Sequence, residues 1–280
     1  MIVQRRIQKY IATAVINAVL LGGVIVFVMP YVYMIASSFK PQPHIFRLPF
    51  QIMPESLYLG NFEFLFTEYQ YWRWYLNTAI VTGIQVSIAM FFSSLAGFAF
   101  AKYEFRFKKL LFLVVLISLM LPIHVLITPL FIQMANLGWL DTYQGVILPF
   151  AISPFFIFLM RQYMMSTPND LLDSGRIDGC TELGIFVRIV MPLQKPAFAV
   201  VGILAFVMAW TAFLWPVIVL QSRSMFVLNV GIATMAGPYR VPYGAILAAS
   251  SLATVPIVIF FLLMQRYFIE GLTAGALKSS

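Results

Sequence analysis

Few residues in this 280-residue chain are equipped for chemistry: it has 10 acidic and 18 basic residues, two histidines and one cysteine. Hydrolysis in so apolar a chain needs a Ser/His pair, two close aspartates, or two histidines flanking a glutamate on one helix. Neither His44 nor His124 sits in such a pattern. His124, among apolar residues, reads as a hydrogen-bonded structural residue, because one imidazole lacks the further ligands a metal site requires. Cys180 alone excludes a disulfide framework and a thiolate metal cluster, and reads as a small packing residue. No Gly-x-x-x-x-Gly-Lys-Ser/Thr phosphate loop is present, so a nucleotide would be bound by another chain. No catalytic residue, metal or bound cofactor is therefore expected here. The patterned segment is residues 166–192, where Asp170, Leu171, Leu172, Asp173, Arg176, Asp178 and Gly179 follow one another within a few helical turns. That mixture suits recognition of another protein's surface.

The framework that positions this segment is apolar. The chain is 61% hydrophobic and 10% charged, against about 45–50% and about 25% for a soluble domain. A water-soluble globule and a disordered chain are both excluded. A membrane-crossing helix needs roughly 20 mainly apolar residues, and six runs qualify: 11–38, 76–101, 110–134, 143–160, 196–220 and 244–264. None contains Asp, Glu, Lys or Arg, consistent with a cost of at least about 2.5–3.5 kcal/mol for a charge at the bilayer centre. The first run is longer than a signal-peptide core and reads as a retained helix. Pro149 and Pro154 predict a kinked or partly unwound fourth crossing. In the second run Ala89, Ser93, Gly97 and Ala101 recur every four residues, as do Ala245, Ala249 and Ala253 in the sixth; such stripes let helix backbones approach closely. Aromatic residues from Phe62 to Tyr75 read as an interfacial belt.

Of the 18 basic residues, 13 (among them Arg5, Lys102, Arg176 and Lys278) fall on the side that holds the N-terminus, and five (Lys40, Arg47, Arg73, Arg223 and Arg240) on the other. Both termini are therefore expected in the cytoplasm. The net charge of +8 is topogenic on this reading, and nucleic acid is not an expected partner. The expected fold is an all-α membrane protein, one transmembrane domain over residues 1–280 with six transmembrane helices.

The cytoplasmic stretch between the fourth and fifth runs has its own punctuation. Thr167 is placed to cap a helix with Pro168 in its first turn and Asp170 as box partner. The helix is predicted over Pro168–Asp178, with Gly179 as a left-handed stop. A second helix begins near Thr181, carries Leu183, Phe186, Val187 and Val190 at helical spacing, and ends at Pro192. Shape alone leaves two uses open: a hairpin lying on the membrane surface, or a docking element for a soluble partner.

The residue pattern resembles a known family. The cytoplasmic loop of ABC-importer permeases carries Glu-Ala-Ala, three residues, Gly, nine residues, then Ile-x-Leu-Pro. Here the same spacing reads Asp173-Ser174-Gly175, Gly179, then Ile189-Val190-Met191-Pro192. Arg176-Ile177-Asp178-Gly179 is similar to the carbohydrate-importer branch, and the end, Gly271 to Lys278, is similar to maltose-type permeases, the shorter member of the pair. Ser38-Phe39-Lys40, Ala99 to Tyr103 and Leu137 to Gln144 look like the same family.

That resemblance implies a coupling helix within the loop 166–192, seated in a cleft of an ATPase, with Leu171, Leu172, Asp173, Arg176, Asp178 and Gly179 as the docking set. It implies a second permease subunit that is a distinct chain, two ATPase subunits carrying ATP and Mg, an extracytoplasmic solute-binding protein, and a sugar substrate. The location implied is a bacterial or archaeal cytoplasmic membrane. On the substrate path, Trp210, Thr211, Phe213 and Trp215 offer rings on which sugars stack, and read equally as bundle core with an outer aromatic belt. A dianionic cargo such as glycerol 3-phosphate would favour basic groups along the route, which the six runs lack. A proton-coupled carrier would place a carboxylate in the membrane, and none is there.

Overall fold

Backbone polar groups inside hydrocarbon must be paired within the segment that carries them, which leaves helices for runs this apolar. The computed structural model describes residues 2–49, 51–238 and 241–276, and these contain no strand. In chain order the helices are α1 (Ile2–Ser38), α2 (Gln42–Ile45), α3 (Gly60–Glu68), α4 (Tyr71–Lys102), α5 (Lys108–Met120), α6 (Ile123–Asn136), α7 (Tyr143–Ile147), α8 (Pro154–Met164), α9 (Asn169–Ile177), α10 (Glu182–Ile185), α11 (Met191–Leu193), α12 (Lys195–Trp210), α13 (Leu214–Val219), α14 (Leu228–Thr234) and α15 (Tyr243–Ala276). A 3-10 turn, Leu148–Phe150, follows α7, and a π-helical turn, Phe186–Val190, joins α10 to α11. Arg240 and Lys278, used above to set the orientation, lie outside the described residues.

Four segments are long and apolar enough to cross a membrane: Tyr10–Ser38, Tyr71–Lys102, Lys195–Val219 and Tyr243–Arg266. Two further pairs are bent, α5 against α6 by 104° and Tyr143–Phe150 against α8 by 44°. The count reaches six when each bent pair is taken as one crossing. The second bend falls at Ser153-Pro154, where Ser153 is extended, as its prolines predict. The first corrects the sequence reading, which took 110–134 as one continuous run. Pro122 supplies no N–H to the ladder and disfavours the helical region for the residue before it. Leu121 is accordingly extended, at φ −78° and ψ 119°.

Two compact units emerge, residues 1–71 with 234–254, and residues 72–233 with 255–280. In the first, the Tyr71 hydroxyl donates to the Ala249 carbonyl at 2.8 Å, and Asn61 Nδ2 donates to the carbonyls of Ser38 and Lys40. In the second, Phe98, Met160, Met164, Leu172, Ile185, Phe186, Val190 and Val201 form one buried cluster. Most of the apolar half of the 166–192 segment is thus packed onto the ends of α4, α8 and α12. Gly97 permits this: a Cβ there would sit 2.8 Å from the Arg161 nitrogen, so α4 and α8 meet backbone to backbone, as the small-residue stripe predicts.

The second unit also holds a strap, residues 220–228, after α13. Asn77, fully buried, donates to the carbonyls of Ser224 and Phe226, both at 2.9 Å, and accepts from the Tyr143 hydroxyl. Trp74 Nε1 donates to Arg223 O, and Thr78 Oγ1 accepts from the Leu228 N–H. Asp141 accepts from the N–H groups of Gln221 and Ser222. Partial burial works against its ionised form, but those donors outweigh it and hold its pKa below the ordinary value.

Candidate functional site

The segment between α8 and α12 folds as a helix, a glycine turn and a second helix. α9 begins at Asn169, one residue later than expected, and no side chain caps it. The Thr167 oxygen is engaged elsewhere: it accepts from Gln194 Nε2 at 2.9 Å, tying the start of α9 to the foot of α12. Gly179 has φ +77° with nothing within 4 Å of a Cβ position, so its requirement is purely one of backbone conformation. Thr181 then caps α10, accepting from the Gly184 N–H at 3.1 Å.

The periodicity of α9 separates the six predicted docking residues. Leu172 is 2% exposed and Gly175 is buried. A Cβ at Gly175 would lie 2.7 Å from Ile189 Cδ1 and 3.2 Å from Ile185 Cγ1. The glycine of Asp173-Ser174-Gly175 therefore brings α9 close to the following helix. Leu172 points inward and joins the core. The outward stripe is Asp170, Leu171, Ser174, Ile177 and Asp178, at the i, i+1, i+4, i+7, i+8 positions of one helical face. Ile177, absent from the predicted set, is 86% exposed; its spacing from Leu171 and Ser174 was the available signal.

Asp173 and Arg176 are exposed but engaged within the chain. Arg176 Nη1 donates to Asp173 Oδ1 at 2.7 Å and Nε to Glu182 Oε1 at 2.9 Å. The Tyr103 hydroxyl donates to Glu182 Oε2. The consequences for titration agree. Hydrogen bonds from Arg176 and then Tyr103 hold the Glu182 carboxyl below its usual range, and Glu182 and then Asp173 raise Arg176. Burial, then the bond to Glu182 and its charge, push Tyr103 up to about 12. Exposed ion pairs of this kind add little to stability, so their value lies in geometry.

A model of the binding-protein-dependent transport system inner membrane component matches residues 89–273, from the middle of α4 into α15, with this loop at its centre. The chain belongs to that family. It is 43% identical to the arabinooligosaccharides transport system permease protein AraQ of Halalkalibacterium halodurans, over 90% of this chain and 91% of the relative. It is 40% identical to the AraQ protein of Bacillus subtilis, over 91% and 92%. It is 30% identical to the sn-glycerol-3-phosphate transport system permease protein UgpE of Escherichia coli O1:K1 / APEC, over 91% and 94%. Among solved structures, a bacterial ABC transporter involved in the import of the acidic polysaccharide alginate shares the fold, with a TM-score of 0.82 over 92% of this chain and 96% of that one at 22% identity. The chain is thus a membrane transport component, the permease of a binding-protein-dependent system.

Within the permease, a cavity of about 750 Å3 opens between α4, the α5–α6 bend, the α7–α8 bend and the α12–α13 break. Phe213 and Trp215 of the predicted path line it, with Gln85, Ser118, Ser153 and Phe150. Trp215 Nε1 is spent on the Gly145 carbonyl at 2.9 Å. Trp210 lies instead stacked on Phe206 with Tyr75 edge-on to it, and the Thr211 hydroxyl donates to Val207 O. His124, expected to be hydrogen-bonded, is exposed on α6 with no side-chain bond to another described residue; the break at Pro122 starts a new helix there. No cluster of His, Cys, Asp or Glu able to hold a metal occurs among the described residues.

Proposed function

We propose that this permease imports a sugar or oligosaccharide, delivered by an extracytoplasmic solute-binding protein and driven by ATP hydrolysis on two partner ATPase subunits. It crosses the bacterial or archaeal cytoplasmic membrane six times, both bent pairs counting once, with its termini in the cytoplasm, and it pairs with a distinct second permease. The observation that carries the reading is α9, a short helix held rigidly on the feet of α4, α8 and α12, with an amphipathic stripe left facing outward. Leu171 and Ile177 supply its apolar anchors. Asp170 and Asp178 fix register and association rate more than affinity. Gly179 makes the turn behind it, and Asp173 and Arg176 stiffen the helix from the side. ATP and Mg belong to the partners; closure of the ATPases around nucleotide pushes α9, and the bundle responds because the nucleotide binds its two states unequally.

The arabinooligosaccharide relatives support a neutral carbohydrate, and the cavity lined by Phe213, Trp215, Gln85 and Ser153 suits one: rings for C–H faces, a few polar atoms for orientation. The glycerol 3-phosphate relative supports a second cargo. Reconstitution of the permease pair, the ATPase and the binding protein in proteoliposomes decides between them. Stimulation of ATP hydrolysis and uptake by arabino-oligosaccharide is the expected result. Stimulation by glycerol 3-phosphate alone moves the cargo, and uptake by this chain without ATP overturns the proposal.

A further inference from the structure

Lys102, the last residue of α4, and Tyr103, the residue after it, reach opposite ends of α9. The Lys102 ammonium donates to the carbonyl of Thr167, to Asn169 Oδ1 at 3.0 Å and to the Met165 carbonyl at 3.4 Å. An ammonium has three donors, and all three are engaged where α8 ends and α9 starts. Tyr103 serves the other end. Its hydroxyl bonds Glu182 at the start of α10, and Glu182 bonds Arg176 in the last turn of α9. The Arg176 guanidinium lies 5.9 Å over the Tyr103 ring. That ring is itself fixed edge-on against Phe98, one turn back in α4, which packs on Phe186.

We propose that Lys102 and Tyr103 are positioning residues that clamp α9 at both ends to α4, so that a push on α9 moves α4 with it instead of pivoting the helix about its buried Leu172. The inference rests on the docking reading above and extends it: neither residue lies on the outward stripe, and neither touches the ATPase face. One end of the clamp is an ammonium grasping carbonyls, the other a phenol acting through a carboxylate. Loss of either end leaves α9 packed through Leu172 and Gly175 but free to tilt. The two ends hold the same helix independently, so each contributes to transmission and neither to docking.

The test uses the full complex in proteoliposomes, with ATPase retention, ATP turnover and sugar uptake measured on each variant. Lys102→Met, Tyr103→Phe and Glu182→Gln are expected to keep the ATPase subunits bound while solute moved per ATP falls at least about tenfold, the scale of a coupling free energy between sites. Lys102→Arg, which keeps charge and donors, restores the ratio. Tyr103→Phe combined with Glu182→Gln is no worse than either alone, because both remove one linkage; Lys102→Met combined with Tyr103→Phe is worse than each. Tyr103→Phe deletes a single hydroxyl and so separates clamping from folding. A wild-type ratio in both Lys102→Met and Tyr103→Phe overturns the inference and leaves the docking reading intact. Loss of the ATPase subunits from these variants also overturns it, by making the residues part of docking. ATPase subunits absent from the wild-type complex overturn the docking reading itself.

Discussion

Ile177→Ala distinguishes an outward docking face from an inward packing face on one short helix. Ile177 is 86% exposed, so its side chain has little to lose within the permease and much to gain against a partner. Alanine removes three carbons. At about 0.8 kcal/mol per buried methylene, and allowing for the part already covered, docking weakens by about 2 kcal/mol, or roughly thirtyfold in Kd. Leu172→Ala is the paired control, because Leu172 is 2% exposed and lies in the core cluster. It costs about 2–5 kcal/mol of permease stability through the cavity it leaves. Binding of purified ATPase to the permease pair in nanodiscs, with thermal unfolding of the same samples, reads both quantities. Ile177→Ala should shift Kd and leave the melting temperature unchanged, while Leu172→Ala lowers the melting temperature. Wild-type affinity in Ile177→Ala would refute the assignment of the stripe, and a melting temperature depressed as far as that of Leu172→Ala would refute its exposure.

Three further outcomes follow from particular residues. Gly179→Val forces a β-branched residue to φ +77° in open space, costing about 1–2 kcal/mol and shortening the lifetime of α9 in hydrogen exchange without altering the membrane helices. Gly231→Ala drives a Cβ to 2.1 Å from the Trp74 ring and should lower stability by about 1–3 kcal/mol, whereas Gly83→Ala, with nothing within 4 Å of its Cβ position, should not; melting of the detergent-solubilised pair compares them. The Glu182–Arg176–Tyr103 network has a definite pH window. Glu182 is held below its ordinary 4.5, so its contribution is complete above that value and fades as pH falls through the lower folded pKa. Tyr103, raised from 10.0 to about 12, contributes fully below 10 and loses that only as pH climbs through about 12. A fluorophore on Cys180 should report no transition between about pH 6 and pH 9; a titration inside that window would contradict the network.

Composition and charge placement made the membrane character of this chain legible, because neither depends on long-range contacts. The helix–glycine–helix of the loop was legible for the same reason: Gly179, Thr181 and the spacing of Phe186 and Val190 act locally. The break at Leu121-Pro122 is not legible in sequence because a proline in an apolar run can also sit inside a helix, as Pro129 does within α6. Leu172 was placed on the wrong face because Leu171 and Leu172 are chemically equal in sequence; only the packing of Ile185 and Ile189 against Gly175 decides which turns inward. Lys102, Tyr103 and Glu182 were invisible as a set, since residues so far apart in the chain are joined only when α4 and α9 meet. Asn77 was hidden likewise, its partners Ser224 and Phe226 lying well over a hundred residues away.

The elbow between α5 and α6 limits what can lie beside it. The closing turn of α5 leaves carbonyls that no further helical turn receives, at a point where Ser118, Leu121 and Ile123 border an open crevice. Facing hydrocarbon, such carbonyls would cost several kcal/mol apiece. Water filling the crevice, or a neighbouring helix packed against the elbow, spares that cost, so the bend can lie at membrane depth only where one of the two borders it.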